Sequence, residues 1–180
     1  MTIDANFLDN LSNDLKRIVS DASEAIMGVY EKNTFDTEIK SDGSPVTEAD
    51  ESANKIIIQS LNIISPDISI VSEETYDKSA EIPHEPYWLV DPLDGTKEFI
   101  NKSKDFTVNI ALIKESKPVY GIICAPVTGQ IWSGSCFQRL LPNEDAISTL
   151  RIVMSKSHQT KTDKEFLEFI ESLDISYQII

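Results

Sequence analysis

YWLVDPLDGTKEFI, residues 87–100, is an apolar run that passes directly into Asp91-Pro92-Leu93-Asp94-Gly95-Thr96. Tyr87 to Asp91 reads as a short strand ended by Pro92, because proline has no N–H to give to a ladder. Pro92 also fixes φ, so the turn between the two aspartates is stiff. If the backbone turns sharply there, Asp91 and Asp94 can converge on a hard cation, with the Leu93 carbonyl as a further oxygen ligand. Magnesium prefers such oxygens and keeps several of its waters. Gly95 bends the chain with no side chain in the way. TKEFI behind it can begin a helix whose free N–H groups face a phosphate, with the Thr96 hydroxyl beside them. The same hexapeptide also has a plain reading. Asp-Pro and Asp-Gly are common turn dipeptides, and an aspartate ahead of a helix is an ordinary N-cap.

Downstream of this turn the apolar period is two. Phe106, Val108, Ile110 and Leu112 alternate, then Val119, Gly121 and Ile123, with Ser116-Lys117-Pro118 and Thr128-Gly129 as turns. That pattern predicts an antiparallel meander of about three strands. Upstream, Leu8, Leu11, Leu15, Ile18, Val19, Ala22, Ile26 and Val29 recur at helical spacing and predict an amphipathic helix over roughly residues 4–31. KSDGSP reads as a loop, TEADESANKIIIQSLNII as a second helix from near Thr47, and ISIVSEE (68–74) as a short strand running into an acidic pair.

The last part differs. LRIVMS (150–155) reads as a strand, TDKEFLEFIESL (162–173) as an amphipathic helix and ISYQII (175–180) as another strand, the opening of a βαβ unit. The expected fold class is therefore α+β: two N-terminal helices on a mostly antiparallel sheet, followed by the start of an α/β domain. The expected division is 1–149 and 150–180. An apolar strand with no further strand to pair with is an odd final element, so the chain is expected to be incomplete relative to its fold.

Apolar residues make up 41% of the 180 residues and charged ones 26%, which fits a globular protein rather than a disordered one. Sixteen basic against thirty acidic residues leave a net charge of −14. That balance argues against a nucleic-acid polymer as partner, since such binding relies on Lys and Arg displacing counterions. A small anionic substrate remains compatible if a bound cation inverts the local field. Cys124 and Cys136 sit in apolar strand-like stretches and read as reduced core residues. The sequence has no apolar run near the ~18 residues of a membrane span and no signal-peptide pattern at MTIDANFLDN, so the expected address is the cytoplasm.

Other acidic residues keep the hexapeptide company. Glu73 and Glu74 end the strand candidate ahead of it, either serving a site or solvating a loop. Asp50 lies in Thr47-Glu48-Ala49-Asp50, a fair capping box with Thr47 at the N-cap and Asp50 at the third helical position. Two competing phosphate chemistries fail on spacing. Haloacid dehalogenase-type phosphatases need aspartates two apart, whereas these are three apart, and a GxxxxGK[ST] loop is absent.

KSDGSPVTEAD (40–50), VSEE (71–74), WLVDPLDGTKEFI (88–100), FTVNIALI (106–113) and SKSH (155–158) occur in order at appropriate separations. Together they resemble the lithium-sensitive, magnesium-dependent phosphatases related to inositol monophosphatase. Lys97-Glu98-Phe99 after the DGT is similar to that family's 3′(2′),5′-bisphosphate nucleotidase branch, which converts adenosine 3′,5′-bisphosphate to AMP and phosphate. The resemblance implies a layered sandwich fold and two or three Mg²⁺ ions held by Glu73, Asp91, the Leu93 carbonyl and Asp94. It implies that Asp50 and Thr96 hold and deprotonate the attacking water. It further implies that Glu73, Leu93, Asp94, Gly95 and Thr96 line the substrate phosphate, while Ser155 and His158 lie against the nucleotide. Peripheral inner-membrane association also occurs within the family's range. Members of the family continue into a Gly-Ser-x-x-Lys segment and a Trp-Asp motif that this sequence lacks. The resemblance therefore leaves three readings open: a bisphosphate nucleotidase, a catalytically inactive or half-enzyme binding module, and an inositol or sugar monophosphatase. A homo-oligomer or a complementing C-terminal chain is the expected macromolecular partner.

Overall fold

The computed structural model describes residues 3–32, 36–39, 45–76, 79, 81, 83, 86–138, 149–154, 160–173 and 175–179. Asp4 starts the first helix, α1 (Ala5–Tyr30), by accepting a hydrogen bond from the Phe7 N–H at 2.9 Å. The helix has no acidic residue in its first turn and no basic one in its last, so beyond the Asp4 cap its macrodipole gains little from charge. Burial of its apolar stripe decides instead. Leu15, Ile18, Val19, Ala22 and Ile26 are all but inaccessible, and each large side chain contributes roughly 1.5–3 kcal/mol.

A two-stranded antiparallel hairpin follows, β1 (Thr37–Ile39) with β2 (Pro45–Thr47), and Thr47 then caps α2 (Glu48–Ile64). Glu48, Asp50 and Glu51 in the first turn of α2 suit the positive end of its dipole. Both helices pack on one face of a five-stranded sheet in the order β3-β4-β5-β6-β7. These strands are Ser69–Ser72, Tyr87–Asp94, Thr107–Lys114, Lys117–Ala125 and Gln130–Ser135. β3 runs parallel to β4 and the other pairs are antiparallel, so the mostly antiparallel α+β expectation holds.

Register explains the core. Trp88 lies opposite Leu112, which lies opposite Tyr120, and Val90 opposite Ile110, which lies opposite Ile122. All six are buried on the helix-facing side. The Trp88 indole N–H donates to Ser65 Oγ at 2.8 Å at the end of α2, so this large ring is buried with its polar atom satisfied.

By contact, the chain divides into two compact units, Met1–Arg139 and Leu140–Ile180. In the second, β8 (Leu150–Ile152) and β9 (Tyr177–Ile179) are parallel, and α4 (Lys161–Ser172) lies between them in sequence. This is the strand-helix-strand unit expected from the sequence. Thr160 and Asp163 form a capping box at its helix start.

Three expectations need correction. β4 does not end at Pro92 but runs to Asp94, because the register shifts between Asp91 and Asp94. At such a bulge a proline costs the ladder no hydrogen bond. Of the loop read at KSDGSP, residues 40–44 lie outside the described residues, and Pro45 opens β2 instead; β1 and β2, three residues each, are too short to carry a period of their own. Cys124 is buried as expected, but Cys136 is exposed, since it follows the end of β7 rather than lying within the sheet.

Candidate active site

The site begins at the bulge. In an unbroken strand Asp91 and Asp94, an odd number of residues apart, would point to opposite faces. Here Asp91 pairs with Asn109 and Asp94 with Thr107, so three steps on β4 match two on β5. The extra residue restores parity. Both aspartates now share the sheet face opposite the helices, while Leu93 turns inward and is buried.

Gly95 makes the next turn possible. Its φ of 95° lies in the left-handed region, and a Cβ built there would sit 2.9 Å from the Asp105 carbonyl oxygen and 3.2 Å from Phe106 Cβ. Only glycine fits without displacing backbone. The short helix α3 (Thr96–Ile100) follows. It is held down by Phe99, buried against Phe106 at 5.4 Å and Tyr30 at 5.5 Å between ring centres. The Tyr30 hydroxyl donates to the Lys102 carbonyl at 2.9 Å, which ties the end of α1 to this turn.

Asp50 joins α2 to the same place. It is fully buried, and one carboxylate oxygen caps the helix, accepting from the Thr47 N–H at 2.8 Å and the Thr47 hydroxyl at 2.6 Å. The other oxygen lies 3.1 Å from the Thr96 hydroxyl, across 46 residues of sequence. The Thr96 hydroxyl also lies 3.3 Å from the Leu93 carbonyl and has one proton for the two acceptors. The sequence left capping and catalysis as alternatives for Asp50. The geometry gives it the cap with one oxygen and the contact with Thr96 with the other.

The remaining carboxylates act on one another through space. Burial, then the neighbouring charges of Asp94, Glu73 and, more weakly, Asp50, raise the Asp91 carboxyl from 3.8 to about 6, against the hydrogen bond it receives from the Leu93 amide. Every charge that shifts Asp91 is thus another carboxylate. Glu73 follows β3, anchored by its N–H to the Val90 carbonyl at 2.9 Å, with its side chain exposed. Asp94 accepts from Asn109 Nδ2 at 3.3 Å.

This donor set is chemically that of a hard divalent cation: oxygens only, with no sulfur or imidazole. A cation would turn the repulsion that raises Asp91 into attraction. Among the described residues, no three of these side chains are drawn together into a ligating group. Their fit to a metal therefore rests on donor chemistry and mutual repulsion, not on a formed cage.

Asp50, Thr96 and the Leu93 carbonyl meet at the Thr96 hydroxyl, while Gly95, next to Thr96 in the chain, closes on Asp105 and Phe106. Glu73, Asp91 and Asp94 meet through their electrostatics. Ser155 and His158 lie outside the described residues. Asn109 is not among the sequence candidates. A polar residue inside the apolar strand FTVNIALI is the signal that marks it.

A model of the inositol monophosphatase family matches residues 8–173. The chain is 40% identical over 168 residues to the 3′(2′),5′-bisphosphate nucleotidase CysQ of Salmonella typhimurium, covering 87% of this chain and 67% of that protein. The protein of the same name from Shigella flexneri is 41% identical over 163 residues, covering 84% and 66%. The chain thus spans about two thirds of the length of these relatives. Among solved structures, CysQ from Bacteroides thetaiotaomicron superimposes with a TM-score of 0.68 at 29% identity, over 94% of this chain and 72% of that one. The extragenic suppressor protein suhB from Bartonella henselae gives 0.68 at 21% identity, covering 94% and 70%, a likeness of fold alone.

Proposed function

The chain belongs to the inositol monophosphatase family, and on that premise we propose that it carries the carboxylate site of a Mg²⁺-dependent phosphatase. The proposed reaction removes the 3′ (or 2′) phosphate of adenosine 3′,5′-bisphosphate to give AMP and phosphate, with water as the nucleophile. The 3.1 Å contact between Thr96 and Asp50 carries this reading, because neither a turn nor a helix cap requires it.

Glu73, Asp91, the Leu93 carbonyl and Asp94 would hold two or three Mg²⁺ ions. When bound, such ions lower the pKa of water, neutralise the phosphate and stabilise the leaving alkoxide. The chain's own residues do the rest. Thr96 Oγ1 donates its proton to Asp50, which turns its lone pairs outward to accept a proton from water. Asp50 is the final acceptor, held still by its two Thr47 donors. Gly95 keeps the chain free of side-chain bulk at the turn, so the backbone of Gly95 and Thr96 can approach the phosphate. Ser155 and His158 complete the nucleotide contact in this proposal, by family resemblance.

The nucleotide substrate is supported by the 40–41% identity to proteins described as bisphosphate nucleotidases. A second reading is a binding module without turnover, compatible with a chain that spans about two thirds of the relatives' length. Phosphate release from adenosine 3′,5′-bisphosphate, with and without Mg²⁺ and with Asp91→Asn as control, separates the two. Mg²⁺-dependent release abolished by the substitution supports the phosphatase. Mg²⁺ binding without release in a folded sample supports the module. Faster release from inositol monophosphate would move the substrate to the sugar phosphates.

A further inference from the structure

We propose that Asn109 is a positioning residue for this carboxylate site. Its amide nitrogen would hold Asp94 in place, and that role rather than packing would be what keeps a polar side chain at this point of the strand. The inference rests on the reading of Asp91 and Asp94 as metal ligands.

Register carries the first half. Asn109 is the cross-strand partner of Asp91, so the two side chains leave the sheet on the same face, their Cβ atoms about 4.5–5.5 Å apart. The bulge brings Asp94 to that face as well, where Asn109 Nδ2 donates to Asp94 Oδ2 at 3.3 Å. One amide therefore sits between the two aspartates of the hexapeptide. A carboxylate of this kind accepts, so the amide nitrogen must be the atom that faces it, and the amide cannot be turned over.

The second half follows from what remains. Asn109 Oδ1 is buried and has no hydrogen-bond partner. Buried side-chain oxygens are seldom left so, and each exception calls for a cause. A simple cross-strand polar pair does not need an amide with one end empty. The amide keeps its nitrogen on Asp94 at the cost of an unpaired oxygen, which a strand residue kept for packing alone would not hold. Groups that orient metal ligands in this way commonly affect metal affinity 10–100-fold.

The test is a Mg²⁺ titration of the full chain followed by thermal melting, for the wild type, Asn109→Ala and Asn109→Val. Valine suits a strand and keeps the fold should alanine loosen it. The expected result is a midpoint of Mg²⁺ stabilisation about 10–100-fold higher in both variants, with melting in EDTA close to wild type. A midpoint within about twofold of wild type overturns the inference while leaving the metal site standing. So does a loss of melting temperature that is equal with and without Mg²⁺, which marks a purely structural role. A wild type that does not respond to Mg²⁺ removes the metal-site reading itself, and this inference with it.

Discussion

Asp91→Asn should make the metal-free chain more stable, although it removes a residue of the proposed machinery. Asp91 is raised from 3.8 to about 6 by burial and by the charges of Asp94, Glu73 and Asp50. A raised carboxyl binds its proton more tightly in the folded chain than in the unfolded one. Its contribution to stability is therefore fully present below about pH 4 and is lost as pH rises through about 6. At pH 7.5 the ionised group is a liability. At about 1.4 kcal/mol per pH decade the rise corresponds to roughly 3 kcal/mol, and partial solvent screening reduces this to about 1–2 kcal/mol. Asparagine keeps the shape and an acceptor for the Leu93 amide but removes the charge.

The assay is thermal or urea unfolding in EDTA at pH 7.5 and at pH 4, repeated with Mg²⁺ at pH 7.5. The variant should melt about 2–6 °C higher than wild type at pH 7.5 in EDTA, and the gap should close at pH 4. Mg²⁺ should reverse the order, since the cation stabilises the folded wild type by mass action and the variant much less. A variant that is less stable than wild type at pH 7.5 in EDTA, or a gap that does not depend on pH, refutes the electrostatic account.

Gly95→Ala should cost at least about 2 kcal/mol in chemical denaturation, because a left-handed φ and a 2.9 Å approach to the Asp105 carbonyl add together. A loss under about 0.5 kcal/mol would mean that this turn is softer than its geometry implies. Thr96→Val should lower phosphate release by about 100-fold or more with little change in melting, as expected for a group on the proton path; equal loss of fold and activity would make Thr96 structural. Trp88→Phe should cost about 1–3 kcal/mol through the lost indole packing and its hydrogen bond to Ser65, whose hydroxyl still donates to the Leu61 carbonyl, measured by urea unfolding at pH 7.5.

Much of the fold was legible because period survives folding. The stripe from Leu8 to Val29 could bury itself as a helix and in no other regular way, and Ala5–Tyr30 is that helix. The alternation after Asp105 became β5 and β6, but in β6 the inward residues are Tyr120, Ile122 and Cys124, one place off from the Val119, Gly121 and Ile123 that the sequence marked, because pairing with β5 sets which parity faces the helices. The hairpin β1–β2 was not legible, since three residues per strand are paired by their neighbours and not by their own pattern. Cys136 misled for a related reason. An apolar neighbourhood in sequence says nothing of where a strand stops.

At the site the sequence determined the chemistry and the tertiary structure decided the geometry. Carboxylates at 91 and 94, a proline that needs no ladder partner, and a glycine with a hydroxyl behind it are all local facts. Counted along a regular strand, however, Asp91 and Asp94 belong to opposite faces, and nothing local says otherwise. Pairing with Asn109 and Thr107 on β5 inserts the extra residue that brings them to one face. Thr96 meets Asp50 only because α2 packs beside the end of β4, which closes 46 residues of chain into one 3.1 Å contact. Local sequence sets which groups are available, whereas parity across strands and contact between distant segments depend on partners that only the folded chain supplies.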